Sequence, residues 1–345
     1  MAVELNRSEF IQLRLHHQHL LTGGVKLSVL LEHLMAIQGQ DFPAAVNAIA
    51  LRGEVSVQDV FYAFSAGGIV RTWPMRSTVH LVNPADVFWI QEITNPRALK
   101  SWPARREYLG LDMPTLDRVF EVTTEVLWQR GALGRKELIA TWQEAGIEIK
   151  KGWSYHLIWA ICQLGLTVFG PPQRDLKDLK LVLTADWIKP EMRHQPQEPY
   201  QELIRRYAQG HAPFTLEDVN WWSGVPITKL RETFKEISNE FETVTFAGKE
   251  YLVPFQALET FETFETQVRV PEYLRLPAFD EYHLGFHQEN RLVEVLHREK
   301  FMTKNGIARE TLLYQGDPIA IFLGKPKTVQ WFEPGNMHEG RYEQN

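Results

Sequence analysis

Two short runs restrict this chain more than anything else in it: Ser56-Val57-Gln58-Asp59-Val60 and Thr215-Leu216-Glu217-Asp218-Val219. A hydroxyl followed three residues later by an acid can close a capping box, each side chain taking an orphan backbone N–H, so each run opens a helix. The segments C-terminal to them also run in parallel. Behind the first lies 70–82, rich in β-branched residues at both ends with Pro74 between, which reads as a hairpin. Behind the second, Pro226 starts a further helix, and strands at 241–246 and 250–253 are joined by the turn Ala247-Gly248-Lys249. A middle stretch keeps the same order: helix 135–145, helix 154–164, strand 166–169, polar loop 171–177 and strand 179–184. This predicts a divergent internal repeat.

Helices followed by a two-strand wing form the winged-helix pattern, a relative of the helix-turn-helix. The expected fold class is therefore α+β: three tandem winged-helix domains, with a small C-terminal β unit forming a partial barrel. The boundaries fall at 1–112, 113–196, 197–258 and 259–345. The C-terminal unit is read from short apolar segments at 268–270, 309–314, 319–323 and 329–332, with Gln315-Gly316-Asp317-Pro318 as a turn and 334–345 as a loose tail. Winged helices also serve as protein-interaction modules, so the fold alone does not fix a function. The second helices, 154–164 and 226–238, are respectively apolar and of mixed charge, which makes them poor readers of base edges.

Near the N-terminus, Ser8 is placed to cap a helix whose apolar face holds Phe10, Ile11, Leu13 and Leu20 and which ends at Gly23-Gly24. Its His16, His17 and His19 can share a face, but no cysteine or convergent carboxylate accompanies them, so no metal and no other cofactor is expected. Ser28 then opens a helix through 37, which delivers Gln38-Gly39-Gln40-Asp41-Phe42-Pro43. On a helix, side chains two apart diverge, so Gln38 and Gln40 can converge only where helix stops. Gly39 weakens a helix, and Pro43 pushes Phe42 out of the α region and suits the start of the next helix. The break is either a polar interhelical turn or a pair of amides aimed at one object.

The chain resembles the crosslink-repair DNA glycosylases of the AlkZ/YcaQ type. The resemblance runs in order through Gln38-Gly39-Gln40, the segment Val70-Arg71-Thr72-Trp73-Pro74-Met75-Arg76-Ser77-Thr78-Val79-His80-Leu81, Gly165-Leu166 into Phe169-Gly170-Pro171, Glu217 to Gly224, and Leu276-Pro277-Ala278-Phe279-Asp280-Glu281-Tyr282. It implies three tandem winged helices around a concave DNA-binding face and a catalytic Gln-x-Gln pair, here Gln38 and Gln40, with Gly39 where the family more often carries a small or aliphatic side chain. It also implies a monofunctional glycosylase that hydrolyses the N-glycosidic bond of cationic alkylated purines (N7-alkylguanine, N3-alkyladenine) in double-stranded DNA, and that unhooks interstrand crosslinks. Asp41 is an accessory candidate able to polarise a water, although negative charge at the start of the next helix explains it equally well. Asp280 and Tyr282 read as structural.

An amide does not titrate, so neither glutamine can act as general acid or base. The substrate must supply the driving force, as a purine already cationic through alkylation does. DNA binding has to arise locally, because the net charge is −6. The run 96–106 holds four cations and no acid, Arg97, Lys100, Arg105 and Arg106, while Glu259, Glu262 and Glu265 cluster elsewhere. In the hairpin, Arg71 and Arg76 are phosphate candidates, Thr78 or His80 could face the substrate, and Trp73 could stack or pack. Trp221 and Trp222 read as core. A non-catalytic winged-helix regulator or scaffold is the alternative function, but it has no need of converging amides. No serine triad, metal motif or phosphate loop is present to support another hydrolase. With 44% hydrophobic residues in 345, the chain can bury sizeable cores. No membrane span or signal layout is visible, so a cytoplasmic monomer is expected. The single cysteine, Cys162, lies in an apolar helical run and reads as core.

Overall fold

A computed structural model of the chain describes residues 3–21, 25–255, 257–258, 270–335 and 338–342. The chain divides into two compact units, one of residues 1–55, 203–222 and 226–345, the other of 56–202 and 223–225. No described helix is long and apolar enough to cross a membrane. Glu259, Glu262 and Glu265, the glycines 23 and 24, and most of the expected strand 268–270 lie outside the described residues.

The unit centred on 56–202 opens on the capping box read from sequence: the Asp59 N–H donates to Ser56 Oγ at 3.1 Å and the Ser56 N–H to Asp59 Oδ2 at 2.9 Å. The helix Val57–Ser65 leads into a hairpin of Val70–Met75 and Thr78–Val82, with Thr72 opposite His80. Arg76 and Ser77 turn the hairpin with φ of 51° and 54°, the left-handed values a two-residue β-turn demands. The register shifts between Thr72 and Met75, and that irregularity accommodates Pro74. Helices Val87–Lys100, Trp102–Leu109, Met113–Arg130, Arg135–Glu144 and Trp153–Gln163 come next, then a second hairpin, Thr167–Pro172 with Leu179–Leu183. Arg71 lies opposite Phe169, so the two hairpins share one sheet. Cys162 is buried, donates or accepts at Thr167 Oγ1 (3.3 Å), and burial pushes its thiol up to about 12, which makes it a core residue and no nucleophile.

The other unit starts with a strand, Val3–Glu4, parallel to Val244–Thr245. Its first helix, Arg7–His17, is capped by Asn6 and Glu9 and not by Ser8, because the Asn6 amide reaches the Glu9 N–H at 3.0 Å. The second, Leu27–Leu34, has no side-chain cap and stops three residues earlier than expected. Phe42–Gly53 comes after it, with Phe42 itself in the first turn. The Thr215 and Asp218 box forms, and Asp218 additionally accepts from Asn290 Nδ2 (2.8 Å) and the His287 N–H (2.8 Å). Helices Leu216–Ser223 and Ile227–Ile237 precede the antiparallel strands Phe241–Phe246 and Lys249–Pro254, turned at Ala247 and Gly248. The C-terminal strands form an antiparallel sheet ordered Thr328–Trp331, Asp317–Leu323, Thr311–Tyr314, Tyr273–Leu276. Tyr273–Leu276 is not evident in the sequence because two prolines bracket it and Arg275 breaks its apolar run. The expected loose tail is partly anchored: Tyr342 packs on the sheet beside Tyr273 and Trp331.

This unit is tied through its interior by charge. Arg52, with no exposure, donates to both oxygens of Asp280 at 2.7 and 2.9 Å and to the backbone and side-chain oxygens of Gln18 at 2.9 Å each. Burial alone would raise the Asp280 carboxyl, but the Arg52 charge, its hydrogen bonds and the Tyr282 N–H outweigh burial and hold it below its ordinary 3.8. Removing one partner of such a pair costs about 3–5 kcal/mol, since the other charge stays buried. Next to it, His283 is buried, bonded to Thr311 Oγ1 at 2.9 Å and packed on Phe301, and burial lowers its imidazole to about 3.

The folded His283 thus refuses a proton that the unfolded chain accepts near 6.5, so its contribution to stability is complete above that value and is lost as the pH falls toward 3. One such group contributes a slope of up to about 1.4 kcal/mol per pH unit in that window. Denaturant titrations from about pH 7.5 to 4 should show stability falling with acid, and His283→Gln, which keeps an amide near Thr311, should flatten that fall. An unchanged slope in the variant would assign the acid sensitivity to other groups.

Candidate functional site

Met35, at φ 62°, turns the chain out of the helix Leu27–Leu34, and Ala36–Gln38 continues as a three-residue strand, fully buried. The glutamine pair therefore sits at a strand end and not at a helix end as the sequence suggested. The consequence for geometry is favourable: in extended chain, residues two apart point to the same side. Gln38 Nε2 and Gln40 Oε1 stand 3.5 Å apart. Gln38 is buried with 9% exposure, while Gln40 is exposed. Asp41 is the N-cap of Phe42–Gly53, its Oδ1 accepting the Ala44 N–H at 3.1 Å, so a structural role accounts for this carboxylate.

The Gln38 backbone is pinned from behind by a residue to which the sequence reading gives no role. Glu281 is 1% exposed; its Oε1 accepts the Gln38 N–H at 3.0 Å and its Oε2 accepts Trp222 Nε1–H at 3.1 Å. His211 Nε2 lies 3.6 Å from the same Oε2, an ion pair whenever the imidazole is protonated, and the ring stacks on Tyr207 at 4.3 Å. Gly285 admits that ring, because a Cβ there would lie 2.5 Å from His211 Cδ2. Trp222 is fully buried, as core, and Tyr282 donates to the Gly316 carbonyl at 3.0 Å, a structural use like that of Asp280. The signal for Glu281 in the sequence was its place between those last two residues. Chemically, the pair offers two neutral amides, and the adjacent carboxylates already hold donors. His16, His17 and His19 belong to no metal-holding group among the described residues, and His17 Nδ1 is bonded to the Gln209 carbonyl at 2.8 Å.

The DNA-binding candidates belong to the other unit. Arg71 is buried and paired with Asp178 at 3.2 Å, and His80 is fully buried with Nδ1 on the Thr78 carbonyl at 2.8 Å. Both are thus enclosed and not at the surface. Arg76 and Thr78 are half-buried at the hairpin turn. Trp73 packs against Phe169 and Tyr155 and does not offer a stacking face. Arg97, Lys100 and Arg105 are exposed and Arg106 is half-buried; Arg97 also donates to the Gly224 carbonyl at 2.9 Å, and Arg105 contacts His156 Nε2 at 3.0 Å.

Residues 31–331 match a family model described as DNA glycosylase AlkZ-like. The chain is 25% identical over 271 residues to an interstrand DNA cross-link repair glycosylase of Streptomyces sahachiroi, covering 73% of this chain and 69% of that protein. Its fold is similar to that of the solved Streptomyces sahachiroi DNA glycosylase AlkZ, with a TM-score of 0.76 at 19% identity over 97% of this chain and 92% of that one.

Glu281 can be tested apart from any activity. In Glu281→Gln the amide can accept from only one of two donors and opposes the other with its own NH₂, at a cost of about 1–3 kcal/mol in folding stability. Trp222→Phe removes the second donor, so the double variant should be less destabilised than the sum of the singles in denaturant unfolding. Strict additivity would mean that Glu281 does not join Gln38 to Trp222.

Proposed function

This chain belongs to the AlkZ-like family of DNA glycosylases, and on that premise we propose that it hydrolyses the N-glycosidic bond of cationic alkylated purines, N7-alkylguanine and N3-alkyladenine, with Gln38 and Gln40 at the reacting centre. The observation that carries this reading is the meeting of two neutral amides 3.5 Å apart on a strand end whose backbone is held by a buried carboxylate. A base alkylated at N7 or N3 already carries positive charge. When its bond to C1′ breaks, the electron pair neutralises it and it leaves without a proton. The protein has then only to hold a water beneath C1′ and stabilise an oxocarbenium-like transition state, which amide oxygens do by orientation and dipole. Water adds to C1′ and gives up a proton to solvent, leaving an abasic site in an intact strand. No lysine lies between 37 and 42 to form a Schiff base.

The relative from Streptomyces sahachiroi is named for interstrand cross-link repair. An interstrand crosslink through an alkylated purine nitrogen has the same cationic leaving group, so the same chemistry would unhook it. We take the helix, helix and hairpin order within 1–112, 113–196 and 197–258 as three winged helices, followed by a C-terminal β unit forming a partial barrel. The exposed Arg97, Lys100 and Arg105, the half-buried Arg106 and, at the hairpin turn, Arg76 are cations we assign to DNA phosphates.

Duplex DNA methylated at guanine N7 should release its base in the presence of the protein, while uracil and hypoxanthine should not be released measurably. Gln38→Ala or Gln40→Ala should slow single-turnover release by about 10² to 10³ with DNA affinity nearly unchanged. Uracil removed as fast as N7-methylguanine, or covalent trapping by borohydride, would mean a hidden acid or amine does the work; no release of any base would favour the regulator instead.

A further inference from the structure

The hairpin Thr167–Pro172 and Leu179–Leu183 ends in a loop that is built, and not slack. The Gln173 N–H donates to the Asp178 carbonyl at 2.8 Å, the Leu176 N–H to the Gln173 carbonyl at 3.0 Å, and Leu176 holds φ 56°. Against this loop stands the first turn of Arg135–Glu144, approached so closely that a Cβ on Gly134 would lie 3.3 Å from Gln173 Nε2. Together they line a depression of about 830 Å³.

What distinguishes this depression is which of its charges are already satisfied. Each of its three acids has a local partner: Asp178, half-buried, pairs with Arg71 at 3.2 Å and Arg135 at 3.3 Å, while the exposed Glu137 and Asp175 accept the Gly134 N–H at 2.7 Å and the Lys177 N–H at 3.2 Å. Arg135 is engaged in the same way, lying 4.6 Å over the Phe169 ring. Lys136, Arg174, Lys177 and Lys180 have no carboxylate partner among the described residues, and the first three are exposed. In a chain of net charge −6, five cations against three acids leave this one depression net positive, a local reversal of sign. A single small anion would be held by converging buried donors; exposed cations spread over this much volume suit an anion that repeats along a chain.

We propose that this face binds the phosphate backbone of duplex DNA through Lys136, Arg174, Lys177 and Lys180, a binding surface additional to the cations at 97–106. The inference rests on the reading of the protein as a DNA enzyme. Its contribution is affinity without sequence preference, since lysines and an arginine on a loop rim address phosphates and not base edges.

The test is binding of the full chain to an undamaged duplex across a salt series, with Lys136→Glu, Arg174→Glu and Lys177→Glu made singly and together. Each cation removed from a phosphate should lower the slope of log affinity against log salt by about 0.9. Arg118→Glu, an equal charge change on the helix Met113–Arg130, should bind as wild type. The triple variant should need a higher protein concentration than wild type for half-maximal single-turnover release of N7-methylguanine, while Arg118→Glu should not. Wild-type slopes in the triple variant, or an equal loss in Arg118→Glu, overturn the proposal, and the surface would then be one for an acidic protein or for nothing but general charge. If wild type releases no base yet the triple variant still loses duplex binding, the glycosylase reading falls and the surface stands.

Discussion

Two neighbouring buried carboxylates, Asp280 and Glu281, are what the unit carrying the glutamine pair depends on. Burying either charge alone would be prohibitive, so each must find donors, and the donors come from distant parts of the sequence. Asp280 finds Arg52, which in turn holds Gln18; Glu281 finds the Gln38 backbone and the Trp222 indole. A dipeptide thereby joins the residue after the first helix, the strand end, the helix Phe42–Gly53 and the helix after Thr215. The glutamines inherit their position from this arrangement, because the N–H taken by Glu281 belongs to Gln38 itself.

That same arrangement explains the kind of chemistry available. The acids near the pair are committed to holding structure: Asp41 caps a helix, Asp280 neutralises an arginine, and Glu281 receives two donors. Each of these three carboxylates thus holds a donor supplied by the fold itself. Under the proposed function, two amides suffice only for a substrate that brings its own leaving-group activation, so the substrate's charge and the neutrality of the pair answer one constraint.

Electrostatics in the other unit depend on pairing more than on composition. Arg71, which looks in the sequence like a phosphate ligand, is taken up by Asp178, and His80 is enclosed in the sheet. Arg71 and Arg135 both pair with Asp178, and the cations around them outnumber the acids. An overall acidic chain can present basic faces when its acids are engaged internally.

Features set by neighbours three or four residues apart were readable directly: the boxes at Ser56 and Thr215, the hairpin turns at Arg76-Ser77 and Ala247-Gly248, and the inert burial of Cys162. Such signals depend on local hydrogen bonds and backbone preference, so they survive without knowledge of what packs where. The convergence of Gln38 and Gln40 was also readable, since it needed only that the chain not be helical there. That the chain leaves the helix at Met35 and runs extended was decided elsewhere, as was the role of Glu281 and the burial of Arg71. A charged side chain is neutral evidence until its partner is known, and the partners of these lie between 59 and 243 residues away. Sequence determined which residues could meet at the site; only the three-dimensional competition for buried donors determined which of them were left free to act.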